Sequence, residues 1–144
     1  MSGRLEGKVS IVTGGSRGIG RAICELFGSQ GATVAVNYTK GASAAADVVE
    51  HINKDGGKAL AFQADIAVRT EVTAMTERIL REFGRIDILI NNAGILLRGT
   101  TLGMNEDDLD RMIAVNLKGI IYAVQAVAPG MIERRYGKIV NLSS

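Results

Sequence analysis

Four stretches of this chain carry side chains, or bare backbone, that could do chemistry. In Thr13-Gly14-Gly15-Ser16-Arg17-Gly18-Ile19-Gly20, glycines at 14, 18 and 20 strip the backbone of side chains. The N–H groups that open a following helix can then face a phosphate with the helix dipole behind them. Asn37-Tyr38-Thr39-Lys40 offers neutral donors and a cation where a second strand should end. Asn91-Asn92-Ala93-Gly94 pairs two amides ahead of a glycine, and Asn116 breaks an apolar helical stripe with an amide that needs a partner if buried. Asn141-Leu142-Ser143-Ser144 follows a last apolar run and presents two hydroxyls. A glycine cluster alone can be a plain turn, so its meaning rests on what flanks it.

The flanks are a strand and a helix. Val9-Ser10-Ile11-Val12 is an apolar run of strand length, and Ile19, Ala22, Ile23, Leu26 and Phe27 recur with helical spacing, a stripe expected to lie on a sheet. Gly28 to Gly31 closes that helix and residues 32–36 read as a second buried strand, completing a βαβ unit whose right-handed crossover makes the two strands parallel. Helix, strand, helix and strand follow over 42–54, 59–63, 72–83 and 86–90. The fourth strand leads straight into Asn91-Asn92. Asn105 and the acids after it start a long helix, with Leu109, Met112, Ile113, Leu117, Ile120 and Ile121 as its apolar stripe and Pro129 expected to kink or end it. Residues 138–142 make a fifth strand. The pattern predicts an α/β doubly wound parallel sheet in the order 3-2-1-4-5, one dinucleotide-binding domain over 1–144, with the ligand edge at the strands' carboxyl ends.

Composition fits that class and excludes others. The chain has 144 residues, 47% hydrophobic and 4% aromatic, with a formal charge of +2 and scattered basic residues, so neither nucleic acid nor an anionic membrane is implied as a partner. No signal-peptide h-region and no apolar run long enough to span a bilayer is read, which leads to the expectation of a soluble, cytoplasmic protein. Cys24, alone in the first helix, reads as a packed thiol. His51, also alone, reads as a surface residue rather than a metal ligand.

The glycine spacing Gly-x-x-x-Gly-x-Gly, together with Asn91-Asn92-Ala93-Gly94, Asn116 and Asn141-Leu142-Ser143-Ser144, resembles the short-chain dehydrogenase/reductase family over nearly the whole chain, and Val36-Asn37-Tyr38 most resembles its 3-oxoacyl-[acyl-carrier-protein] reductase branch. The resemblance implies a nicotinamide cofactor bound by Gly14, Ser16, Arg17, Gly18, Ile19 and Gly20. It also implies adenine contact by Asp65 and Ile66, though spacing alone allows Asp65 to be a cap or turn residue. Asn92, Ala93 and Gly94 are implied near the ribose and nicotinamide, Asn91 and Asn92 being read equally as strand braces. Asn37, Tyr38, Thr39 and Lys40 stand where an acid would favour NAD. With Arg17 they favour NADP(H).

Catalysis in the family uses an asparagine, a serine and a Tyr-x-x-x-Lys. Asn116 and Ser144 match the first two, Ser144 being preferred to Ser143. None of Tyr38, Tyr122 and Tyr136 has lysine four residues on, and Tyr136 with Lys138 is too close and precedes the fifth strand. The chain is therefore read as the cofactor half of a longer reductase acting on a small-molecule carbonyl or alcohol, 3-oxoacyl thioesters included. The alternative is a truncated NADP(H)-binding or interaction module without chemistry. A homo-oligomer, commonly a tetramer in the family, is expected through the long helix.

Overall fold

The computed structural model describes residues 3–144. Five strands, β1 (Val9–Val12), β2 (Thr33–Tyr38), β3 (Lys58–Gln63), β4 (Ile88–Asn91) and β5 (Lys138–Asn141), form one parallel sheet in the order β3-β2-β1-β4-β5. The register runs Val9↔Thr33, Thr33↔Lys58, Ser10↔Ile88 and Ile88↔Lys138, so all five strands end at the same edge. Five helices connect them: α1 (Gly18–Ser29), α2 (Ala42–Lys54), α3 (Arg69–Phe83), α4 (Glu106–Ile113) and α5 (Gly119–Glu133), the last two joined by a π-helical turn, Ala114–Lys118. This is the doubly wound fold that the pattern of alternating strands and helices predicts.

Each sheet face has its own core. Val12, Val34, Val36, Ile88 and Ile90 pack with Cys24, Val48 and Ile52 under α1 and α2, while Ile11, Ala35, Phe62 and Leu89 pack with Met75, Ile79, Ala123, Val127 and Met131 under α3 and α5. A strand buried on both faces must be apolar at both parities, which is why the central strands read as continuous runs. β5 is an edge and is exposed along its length.

Two helix faces differ from expectation. The buried side of α1 is Gly20, Cys24 and Gly28, with Ile23 and Phe27 beside it, and Ile19 (66% exposed) and Leu26 face outward. Close approach decides this: a Cβ at Gly28 would lie 2.6 Å from Ile52 Cγ2, and one at Gly20 would collide with the Gly14 carbonyl oxygen. Small residues therefore take the contact side. The long helix likewise buries Val115, Gly119, Ala123, Val127 and Met131, leaving Leu109, Ile113, Leu117 and Ile121 exposed. Gly119 sets that rotation, since a Cβ there would lie 2.7 Å from Ile66 Cδ1.

Pro129 does not end α5, which runs on to Glu133; the cost is the one ladder bond its missing N–H cannot make. The helical path from Glu106 to Glu133 is 28 residues and, by length and composition, apolar enough to cross a bilayer, contrary to the sequence expectation. In this fold one side of it is spent on the sheet and α3.

The edge at which the strands begin is held by Asp87, fully buried just before β4. Its Oδ2 accepts the Val9 N–H at 3.0 Å and its Oδ1 takes two bonds from Arg85, at 2.9 and 2.6 Å. Burial pushes its carboxyl up, but the Arg85 guanidinium, the Val9 N–H and the nearby Lys8 charge outweigh burial and hold it below the usual carboxylate range. Tyr136 belongs to this edge too, with Lys8 Nζ 4.1 Å above its ring, so the Tyr136–Lys138 pair lies away from the strands' carboxyl ends.

Candidate cofactor and active site

The carboxyl ends of the strands open into a cleft of about 520 Å³. Gly14, Ser16, Arg17, Tyr38, Thr39, Lys40, Asp65, Ile66, Asn92, Ala93 and Gly94 line it, eleven of the seventeen residues expected at the site. Gly41, Ala44, Ile95, Arg111 and Val115 line it as well, and sequence reasoning did not single them out.

The glycine turn is shaped by its neighbours. Gly18 has φ +55° with open space around it, a conformation that any Cβ would strain, and from there α1 begins with no side-chain cap on its first N–H groups. Those donors have no helical acceptor, so they are available to an anion. Gly20 lies beneath Gly14 and Asn92, where a Cβ would come within 2.6 Å of Asn92 Nδ2. Ile19 sits exposed at the helix start, and Gly18, Ile19 and Gly20, all expected at the site, are not among the residues that line the cleft.

Thr13 joins the turn to β4. Its hydroxyl donates to the Ile90 carbonyl and accepts the N–H groups of Asn92 and Ala93, both at 3.0 Å. Asn92 Nδ2 donates to the carbonyls of Thr13 (2.9 Å) and Gly14 (3.1 Å). Asn92 therefore braces the strand ends while still lining the cleft. Asn91, buried, only braces: its Nδ2 donates to Asn141 Oδ1 at 2.9 Å, tying β4 to β5. A threonine directly after a buried strand and directly before a glycine pair was the one sequence signal for the Thr13 role.

Asn37 corrects an expectation. It is 1% exposed and turned away from the cleft: Nδ2 donates to the Phe62 and Ala64 carbonyls and Oδ1 accepts the Gly14 N–H at 3.2 Å. Its own carbonyl accepts the Gly15 N–H at 2.8 Å. Successive strand residues point to opposite faces, so Asn37 goes inward to hold the glycine turn and Tyr38 takes the place at the cleft. Thr39, Lys40 and Arg17 surround that place, the last two exposed, and no ion pair engages either cation among the described residues.

Asp65 is a turn residue, accepting the Ala67 N–H at 2.9 Å, and its other oxygen is 2.9 Å from Arg111 Nη1. It is the one carboxylate in the cleft lining, against three cations. Asn116 lies in the π-helical turn and is exposed rather than buried; its Oδ1 accepts the Ile95 N–H at 2.9 Å and its Nδ2 donates to the Ile95 carbonyl at 2.8 Å. The amide thus has its partners from the loop after Gly94. Ser143 and Ser144 follow β5 at the same edge, both exposed. Cys24 is buried, and burial, with the Glu25 charge adding to it, pushes its thiol up to about 12, which removes it as a nucleophile.

The family model described as short chain dehydrogenase matches residues 8–144. The chain belongs to that family. It is 42% identical over 137 residues to a 3-oxoacyl-[acyl-carrier-protein] reductase, FabG, of Staphylococcus aureus, an alignment covering 95% of this chain and 56% of that protein. Among solved structures, a short-chain dehydrogenase/reductase mutant from Serratia marcescens superposes with a TM-score of 0.92 at 42% identity, over 97% of this chain and 56% of that one. A short chain dehydrogenase from Burkholderia cenocepacia, solved in complex with NADP, superposes with a TM-score of 0.90 at 42% identity, over 98% and 57%. The chain thus spans a little over half the length of the relatives it matches.

Proposed function

We propose that the cleft binds NADP(H) and that the protein is an oxidoreductase moving a hydride between the nicotinamide and a carbonyl or secondary alcohol. The observation that carries this is the charge at the cleft's β2 end. Arg17 and Lys40 stand beside Tyr38 and Thr39 with no carboxylate among them, and the one acid in the lining, Asp65, is neutralised by Arg111. A 2′-phosphate on the adenosine ribose would find cations there, where a ribose diol would find no acceptor carboxylate. The bare glycine turn, packed too tightly at Gly20 for any side chain, fits the diphosphate. The NADP complex of the Burkholderia relative supports the same reading.

The chemistry such a cofactor supplies is hydride exchange with a carbonyl carbon. On the protein side, Asn92, Ala93 and Gly94 hold the loop over β1 and β4, and the N–H groups opening α1 orient the diphosphate. In this reading the Ser144 hydroxyl hydrogen-bonds a substrate oxygen, while Asn116 holds the Ile95 segment that follows Gly94. The similarity to FabG supports 3-oxoacyl thioesters as a substrate class. The domain 1–144 is read as one dinucleotide-binding unit, and the exposed apolar side of α4 and α5 as the surface through which copies associate. Titration of the protein with NADPH and NADH tests the cofactor reading: tighter NADPH binding supports it, and equal or weaker binding removes it.

A further inference from the structure

The β3–α3 turn and helix α4 are separate elements joined across the cleft by one ion pair. Arg111 Nη1 lies 2.9 Å from Asp65 Oδ2, and the carboxylate's other oxygen is held by the Ala67 N–H at 2.9 Å. Both oxygens are thereby fixed, while 20% of the Asp65 side chain stays open to the cleft it lines. Five residues along, Asn116 clasps both main-chain groups of Ile95. The helical segment between these anchors presents Val115 to the cleft. A part-exposed ion pair contributes little to stability, so its effect here is on orientation: it gives the carboxylate one direction and cancels its charge near a phosphate-binding turn.

We propose that Arg111 is a positioning residue for adenine recognition, acting through Asp65; the inference rests on reading the cleft as a dinucleotide site. Each carboxylate oxygen keeps a second lone pair, and a carboxylate held in one direction can accept a hydrogen bond from the exocyclic amino group of adenine. With Arg111 removed, only the Ala67 N–H still holds the carboxylate, so its Oδ2 loses its fixed direction and with it that selectivity.

The test is calorimetric titration of the full chain with NADPH and with its hypoxanthine analogue, in which an oxygen replaces the 6-amino group. The unsubstituted protein should prefer the adenine form by about fivefold, the worth of one such hydrogen bond. Arg111→Met should bring the two affinities together, Arg111→Lys should keep most of the preference, and adding Arg111→Met to Asp65→Asn should change nothing more. Equal weakening of both ligands in Arg111→Met, with the preference kept, would mean a merely structural contact and overturn the proposal. So would binding of both ligands without preference by the unsubstituted protein. Failure of that protein to bind either ligand would instead bring down the dinucleotide reading itself, and the inference with it.

Discussion

Asn37 and Tyr38 are adjacent in sequence and do opposite work. Asn37 uses two donors and one acceptor to hold β3 and the glycine turn, so Asn37→Asp would set a carboxylate against two carbonyls without a donor; a loss of about 2–4 kcal/mol in denaturant unfolding is expected. Tyr38 faces the cleft, so Tyr38→Asp should shift preference from NADPH toward NADH at little cost in stability. Measured dissociation constants and unfolding midpoints for the two variants separate these roles. Strand alternation puts 37 and 38 on opposite faces, but β2 is buried on both, so residue type alone could not say which of them meets the ligand. The residues that face the cleft through backbone or loops, from Gly14 to Arg17 and from Asn92 to Gly94, were legible because glycine and amide patterns report backbone geometry directly. Arg111 was not legible. It reaches Asp65 only because α4 crosses the cleft, 46 positions later in the chain.

At the scale of elements, strands and their order followed from apolar runs and crossover rules, and the helix boundaries from caps such as Asn105, whose Oδ1 accepts the Asp108 N–H at 2.8 Å. Helix faces followed less well. Apolar spacing marks a stripe, but the contact side of α1 and of the long helix went to glycines at the points of closest approach, which a hydrophobicity count scores as neutral. Gly119→Val should therefore push the π-helical turn off Ile66 and destabilise the fold by about 1–3 kcal/mol, read as a lower melting temperature. Asp87 adds a charged tie between the starts of β1 and β4 to their backbone ladder. Because Asp87 is held below its ordinary range in the fold, its stabilising contribution is present above the unfolded carboxylate value, near pH 4, and is lost as pH falls through the lower folded value. Melting curves taken down through that window should fall less steeply for Asp87→Asn than for the unsubstituted chain.

Along its longest helical path the molecule leaves a continuous row of apolar side chains uncovered. Leu109, Ile113, Leu117 (56% exposed) and Ile121 form a row at four-residue intervals along α4, the π-helical turn and α5, a stripe wide enough to seat a second helix. Association of copies through this row is the expected use. Leu117→Glu with Ile121→Lys should then lower the sedimenting mass at micromolar protein while leaving the circular dichroism spectrum unchanged; a spectrum and mass both unaltered would place any association elsewhere. None of these four side chains belongs to either buried cluster.

Arg17 and Lys40, with the cleft's one carboxylate neutralised by Arg111, are proposed to make it a site for a 2′-phosphorylated dinucleotide. Paired titrations of NADPH and NADH into the protein and into Arg17→Ala/Lys40→Ala test this most directly. NADPH should bind at least about tenfold tighter than NADH in the unsubstituted protein, falling toward equality in the double variant while NADH binding stays nearly constant. NADH binding as tightly as NADPH, or a preference untouched by removal of both cations, would contradict it.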